Sequence, residues 1–492
     1  MTLPTKKEFL EIIKKGKIPP LFKEIPYSSP CSIYEALASP NSFLLESVKG
    51  PDKIAGYSFI GFGPCLIFKI KNGILEIVSS ERKIIHTNKP LDIMKNLVQS
   101  YNQVPSKFLP PFQGGIAGIL SYDFVHYLEA LPRNAADDLD FPDAHFLMID
   151  KLIAIDHIYK KGWIIVCPGV KRSIGKYANE CVNWSELYDE AEYKINEINK
   201  RIKRNSEKSK QYPHSTRDAE IIYEMKKQEY MDIVTRAKEY ISAGDIFQAN
   251  LSQRVSALIT NRSTWKLYRI LRSINPSPFA AYVDFDGYKI VSSSPERLLR
   301  VNEKTIDTRP IAGTRPRGKD SREDELMRAE LLLNEKERAE HIMLIDLERN
   351  DLGRVSDYGS VMVDELMITE DYSHVIHIVS NIKGNLAESK DCFDAIKAAF
   401  PGGTITGVPK VRCMEIIDEL EPVCRGPYTG SIGYISFSGN MDLNIVIRTF
   451  VIKNNIAYVQ VGAGIVADSE PEREYKETLK KAEALIKTLE MV

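Results

Sequence analysis

The chain has 492 residues, 66 Lys and Arg against 67 Asp and Glu, and 43% hydrophobic residues. A net charge of −1 argues against a broad nucleic-acid binder or a membrane-surface binder, because a balanced surface holds neither polyanion. Ordinary apolar content argues against wholesale disorder, and the length suggests roughly three domain-sized units.

In chain order, residues 1–17 carry lysines and acids in an amphipathic pattern, without the unbroken apolar core of a secretory signal. No apolar run approaches the ~20 residues of a membrane span. Asn72-Gly73 between FKIK and ILEIV predicts a hairpin. GGIAGILSYDF (114–124) is a glycine-rich apolar segment where backbones approach closely, and residues 145–157 and 162–169 read as strands. Residues 195–218 read as a helix end followed by an exposed connection. The chain thus divides into regions 1–200 and 219–492, joined by 201–218. Ile221, Ile222, Met225, Ile233, Val234, Ala237 and Ile241 predict one helix over 219–243, stopped at Gly244. Asp286-Gly287 predicts a second hairpin, residues 320–348 a helix, and 430–464 strands with a turn at Asn454-Asn455. Residues 471–490 predict a charged amphipathic helix. Hairpin-linked strands with interspersed helices give an α+β class. The seven scattered cysteines contain no CxxC, which fits reduced thiols in a cytoplasmic protein.

Several segments carry residues suited to chemistry. Glu337 and Glu340, and Glu474 and Glu477, are each three apart, so each pair shares a helix face. Lys481 joins the second face. This spacing fits two carboxylate pairs at Mg²⁺ and equally a solvated face of ion pairs such as Glu477–Lys481. FPGGTITGVPK (400–410) is either an anion-binding turn before a helix or an ordinary strand-to-helix turn. TRPIAGTRPRGK (308–319) is a basic loop able to attract an anion. His377 lies in an apolar run, as a core histidine or a catalyst. Arg448 interrupts NIVIRTFVI and needs a partner if buried, either a substrate carboxylate or an internal acid. GAGIV (462–466) leaves backbone amides approachable. Nucleophile and zinc signatures are absent.

The ordered set GDIFQANLS, SSPERL, RPIAGTRPRG, NEKERAEHIMLIDLERNDLGRVS, YSHVIHIVSNIKG, FPGGTITGVPK, GSIGYISF, IVIRTF and QVGAGIVADSEPEREYKET resembles component I of the chorismate-aminating enzymes. That family comprises anthranilate synthase and aminodeoxychorismate synthase, with isochorismate and salicylate synthases as relatives. The resemblance covers nearly the whole chain. It implies a two-subdomain α+β fold with an antiparallel sheet core, and Mg²⁺ as cofactor. By motif position, Glu340 and Glu477 would ligate the metal, with Glu337 and Glu474 beside them. Tyr428, Arg448, Lys481 and the Gly462, Ala463 and Gly464 backbone would hold the carboxylates of chorismate, near Gly313, Thr314 and Thr404. Glu296 would be the general acid for the departing 4-hydroxyl, with a raised pKa. Gln248 stands where water-adding relatives carry a Lys base, and His377 matches the residue that eliminates pyruvate. Ammonia would come from a separate glutamine amidotransferase subunit.

Gly403 and Thr406 resemble the para-aminating members. Ala312 cannot form the adduct made by the Lys that many para enzymes carry there. The resemblance therefore implies aminodeoxychorismate synthesis, alone or with anthranilate synthesis. The alternatives are a dedicated anthranilate synthase component I and a non-catalytic chorismate-binding scaffold. LLES, with Leu45, Glu46 and Ser47, and NPSPFA, with Asn275, Pro278, Phe279 and Ala280, resemble a tryptophan pocket, inhibitory or structural.

Overall fold

The computed structural model describes residues 1–174, 182–205, 220–259, 263–372 and 375–491. Two antiparallel sheets of twelve strands each organise it. The first runs from edge strand Leu21–Pro26 through Ser42–Glu46, Phe279–Asp284, Lys289–Ser294, Thr449–Lys453 and Ile456–Ile465 to Gln248–Leu258 and Ile221–Tyr223. The second runs from Ile311–Pro316 and Val375–Asn385 through Arg297–Asn302, Met441–Asn444, Ser431–Ser436 and Gly115–Leu120 to Arg82–His86. Each sheet takes strands from both residues 1–200 and residues 219–492.

The sheets share one apolar core. Phe43, Phe59, Ala154 and Ile165 of the first sheet pack with Ala117, Ile119, Leu147 and Ile432 of the second. Helices cover the outer faces. Tyr268, Leu271, Leu485 and Ile195 pack on the first sheet, and Met94, Val98, Leu352 and Phe393 on the second. Near-continuous apolar strands such as Ala144–Ile149 follow from this two-sided burial.

The hairpins fall where the turn residues place them. Asn72 and Gly73 adopt φ of 49° and 77°, and Asn454 and Asn455 adopt 53° and 61°. Positive φ at both central residues matches the right-handed twist of the flanking strands. The 285–288 turn containing Asp286 (φ 66°) joins Phe279–Asp284 to Lys289–Ser294. The terminal helix spans Pro471–Glu490, as its amphipathic pattern predicts.

Two expected helices differ. Ile221 and Ile222 pair with Ala257 and Ser256 in an edge strand, and the helix begins only at Lys227, ending at Ser242 before Gly244 (φ 84°). The β-branched pair satisfies its backbone by pairing, which a local helical pattern does not reveal. The single helix expected over 320–348 is two, Ser321–Leu333 and Glu335–Gly353, broken at Asn334. Asn334 has extended backbone (ψ 109°), and its side chain accepts the Glu337 amide at 3.0 Å, capping the second helix. The helix Trp184–Asn205 ends inside the expected break, and residues 206–219 lie outside the described residues.

The six described cysteines are free, and Cys181 lies outside the described residues. Among the described residues no helix is long and apolar enough to cross a membrane.

Candidate active site

The chain passes between the sheets twice at one place. It leaves the first sheet after Ser294 and enters the second at Arg297, so Pro295 and Glu296 form one crossover. It returns after Asn444 and re-enters the first sheet at Thr449, so 445–448 form the other. Backbone bonds fasten the two together: the Ile445 amide donates to Glu296 O at 3.0 Å, and the Ser293 amide donates to Arg448 O at 3.1 Å. Ser294 Oγ donates to Ile445 O at 2.6 Å. Arg448 takes φ 51°, a conformation that costs energy in a non-glycine residue and is common at functional sites.

These crossovers set an acid beside a cation. Glu296 is 6% exposed, and burial pushes its carboxyl up to about 7. Thr404, the Ile311 amide, Arg448 and Lys481 pull in the other direction without offsetting burial. Burial lowers the pKa of Arg448 and Glu296 partly opposes this. Among the described residues its guanidinium makes no hydrogen bond or ion pair, leaving it available to an anion.

A second wall comes from paired strands Ile311–Pro316 and Val375–Asn385, where Thr314 registers with His377. A bulge between Ala312 and Thr314 places Gly313 at φ 59°. His377 Nδ1 lies 3.1 Å from Gly313 O and 3.0 Å from Thr314 Oγ1. Donation from Nδ1–H to the carbonyl leaves Nε2 as the unprotonated nitrogen. Burial, aided by Arg448, pushes the imidazole down to about 4, so it stays neutral. A Cβ on Gly313 would stand 2.6 Å from Glu337 Oε2, so this loop also touches the start of helix Glu335–Gly353.

The third wall is strand Ile456–Ile465 with helix Pro471–Glu490. Lys481 Nζ donates to Gly462 O at 3.0 Å and pairs with Glu477 Oε1 at 2.8 Å. A Cβ on Gly462 would meet Tyr428 OH at 2.7 Å, and one on Gly464 would lie 3.8 Å from Glu340 Oε1. Ala463 between them is buried. Gln248 Nε2 donates to Glu340 Oε1 at 2.9 Å.

The four glutamates expected at one ion are positioned by the two helices but do not converge. Among the described residues no three His, Cys, Asp or Glu side chains form a group that would hold a metal. Glu340 is held by Gln248, Glu337 by Arg315 at 2.7 Å and Glu477 by Lys481. Their donor chemistry nonetheless fits Mg²⁺, which takes oxygen ligands. Glu337 Oε2 is buried without a partner, and burial together with Glu477 raises the Glu474 carboxyl.

Fourteen buried side-chain polar atoms lack a hydrogen-bond partner among the described residues, and six belong here: Gln248 Oε1, Asn250 Oδ1, Glu296 Oε1, Glu337 Oε2, His377 Nε2 and Thr404 Oγ1. Folded proteins leave few such atoms, so their concentration marks a place built for a ligand.

Sequence reading missed Asn250 and Glu348. Asn250 stands two residues after Gln248, and that period-two spacing was the available signal. Glu348 is a buried carboxyl raised by burial and Asp351, which itself pairs with Lys410 at 2.5 Å. A Cβ on Gly403 would stand 3.8 Å from Glu348 Oε1 and 2.1 Å from Leu347 Cδ2.

The residues expected to form a tryptophan pocket also come together, in the first sheet. Glu46 registers with Ala280 and Leu45 with Ala281, while Ser47 Oγ donates to Pro278 O at 3.1 Å. Asn444 Nδ2 donates to Phe279 O at 3.3 Å, and Asn275 Nδ2 approaches Ser293 O at 3.5 Å. The Glu46 carboxylate is turned inward, bound by Arg272 at 2.8 Å and by Tyr268 OH at 2.5 Å.

The profile of the chorismate binding enzyme family matches residues 40–487. The chain is 43% identical to anthranilate synthase component 1 of Acetivibrio thermocellus, over 100% of this chain and 99% of that one. It is 42% identical to aminodeoxychorismate synthase component 1 of Bacillus subtilis, over 96% and 97%. The crystal structure of anthranilate synthase component I from Streptococcus pneumoniae superposes with a TM-score of 0.76 at 34% identity, covering 88% of this chain and 92% of that one. The chain belongs to the chorismate binding enzyme family.

Proposed function

We propose that the chain aminates chorismate with ammonia, in a Mg²⁺-dependent reaction, to 4-amino-4-deoxychorismate, with anthranilate as a second product. The observation that carries amination chemistry is Glu296, buried and protonatable beside the unpartnered Arg448 where the two crossovers meet.

Chorismate is a dianion. Arg448, Tyr428, Lys481 and the 462–464 backbone hold its carboxylates and fix the ring. Glu340 and Glu477, with Glu337 and Glu474 beside them, would hold Mg²⁺, whose positive charge would neutralise the ring carboxylate. Ammonia attacks ring carbon 2: its lone pair forms the C–N bond, the ring double bonds shift, and the C4–O bond breaks. Glu296 gives its proton to the departing hydroxyl, which leaves as water. The surplus proton on nitrogen returns to the Glu296 carboxylate. A second ammonia then attacks carbon 4, the ring double bonds shift back, Glu296 gives its proton to the carbon 2 nitrogen, which leaves as ammonia, and the new nitrogen returns its surplus proton to Glu296, giving the para product. Loss of pyruvate instead gives anthranilate: His377 Nε2 takes the proton from carbon 2, the C3–O bond breaks, and the enolpyruvate leaves and takes up a proton to become pyruvate.

Gly403 and Thr406 support the para route by their resemblance to the para-aminating members. A dedicated anthranilate synthase is the second reading, favoured by Ala312, which offers no nucleophile to the ring. A separate glutamine amidotransferase subunit would supply the ammonia, as the component numbering of the relatives suggests. Tryptophan is assigned to the Glu46–Ala280 region, and titrating it against activity separates an inhibitory from a structural role.

Chorismate consumption by the purified chain with Mg²⁺ and ammonium tests this reading. Saturable, ammonium-dependent consumption is expected. Equal consumption without ammonium, giving a hydroxylated product, contradicts it.

A further inference from the structure

Gln248 and Asn250 lie two apart on strand Gln248–Leu258, so their side chains share one face. The neighbouring strand is stripped of side chains opposite them. Asn250 registers with Gly464, and Ser252 registers with Gly462. A Cβ on Gly464 would stand 2.5 Å from Gln248 Nε2, and one on Gly462 would stand 2.6 Å from Asn250 Oδ1. The two glycines therefore make the room that the two carboxamides occupy.

Each amide presents a buried carbonyl oxygen, Gln248 Oε1 and Asn250 Oδ1, that receives no hydrogen bond among the described residues. The orientation of the first is fixed. Gln248 Nε2 donates to Glu340 Oε1 at 2.9 Å, and a flipped amide would set oxygen against carboxylate.

We infer that Gln248 and Asn250 form a two-acceptor cradle for the ammonia nucleophile, a positioning role that rests on the amination reading above. Ammonia has three N–H donors and one lone pair. Two neutral acceptors bind two of its N–H groups and leave the lone pair aimed at the ring, where it forms the C–N bond. A bare carboxylate in the same place would favour ammonium, which has no lone pair to give. Gln248 covers the nearest one, Glu340, by donating to it. The leaving hydroxyl takes the Glu296 proton, and the nitrogen's surplus proton leaves to the resulting carboxylate, so the cradle neither gains nor loses a proton.

Steady-state kinetics of the full chain with Mg²⁺, varying ammonium and chorismate separately at one pH, test this. Asn250→Leu keeps the shape and removes the acceptor. It is expected to raise the KM for ammonia about tenfold, the loss of roughly one hydrogen bond, with the KM for chorismate little changed. Gln248→Met should shift the ammonia KM in the same direction, and Asn250→Asp, which puts a bare carboxylate there, should hold ammonium and lower kcat. Gln248→Met carries the test if Asn250→Leu fails to fold. An unchanged ammonia KM in folded variants overturns the cradle, as does a rise confined to the chorismate KM. A parent chain that consumes no chorismate with ammonium is a different result: the amination reading fails first, and the cradle falls with it.

Discussion

Glu296 reaches its environment through the backbone of two crossovers, and that environment sets its titration. Burial raises its carboxyl to about 7, above its ordinary value. A general acid must carry its proton, so kcat should fall as pH rises through about 7. His377, held neutral down to about 4, adds no limb between pH 5 and 7. A pH–rate profile flat across pH 5–9 would contradict this assignment. The same shift has a consequence for stability. The folded state binds the proton more tightly than the unfolded one, so stability is lost as pH rises from the ordinary carboxylate range through about 7. Glu296→Gln should therefore show a smaller fall in Tm between pH 5 and pH 8, while kcat drops by about two to four orders of magnitude. Gly403 makes a second prediction at this scale. Gly403→Ala places a methyl 2.1 Å from Leu347 Cδ2 and should cost about 1–3 kcal/mol of stability in urea unfolding. Leu347→Ala in the same chain should recover part of that loss. Independent, additive losses would show that the two side chains do not collide.

Among the elements, the turns and the terminal helix were legible because their signals are local. Asn72-Gly73 and Asn454-Asn455 favour positive φ, and the apolar stripe of 471–490 needs no knowledge of its partner. The strand at Ile221–Tyr223 was not legible, because only pairing with Val255–Ala257 makes it a strand. The break at Asn334 was hidden between two helix-forming segments. That break bears on the candidate site, because Asn334 caps the helix that carries Glu337 and Glu340. Asn334→Ala should cost about 1 kcal/mol and raise the Mg²⁺ concentration needed for half-maximal activity. A destabilised variant with unchanged Mg²⁺ dependence would show that the cap serves the fold alone. The motifs named most of the site residues. Their juxtaposition came from sheet topology: 152 positions separate Glu296 from Arg448, and only the paired crossovers bring them together. Asn250 was missed because its period-two spacing from Gln248 says little until the glycines opposite it are seen.

At the scale of the molecule, two sheets interleave strands from the beginning and end of the chain, and the candidate site lies where the chain changes sheet. The near-zero net charge conceals a local separation of charge. Glu337, Glu340, Glu474 and Glu477 lie on two helices, Glu477 beside Lys481, while Arg448 sits with Glu296 at the crossovers, and their oxygen donors suit a divalent cation although they do not converge. Chelation of Mg²⁺ should abolish turnover, and Glu340→Ala should do so even at saturating Mg²⁺. Unchanged turnover in Glu340→Ala would show that Glu340 does not hold the metal, and a parent chain that binds chorismate without turnover would favour a scaffold. The relatives at 43% and 42% identity bear the names of different reactions, so overall similarity does not decide the product. Product analysis decides it. The purified chain, given chorismate, Mg²⁺ and ammonium, should form 4-amino-4-deoxychorismate, with anthranilate beside it. Anthranilate alone would contradict the para reading, and isochorismate or salicylate alone would contradict amination altogether.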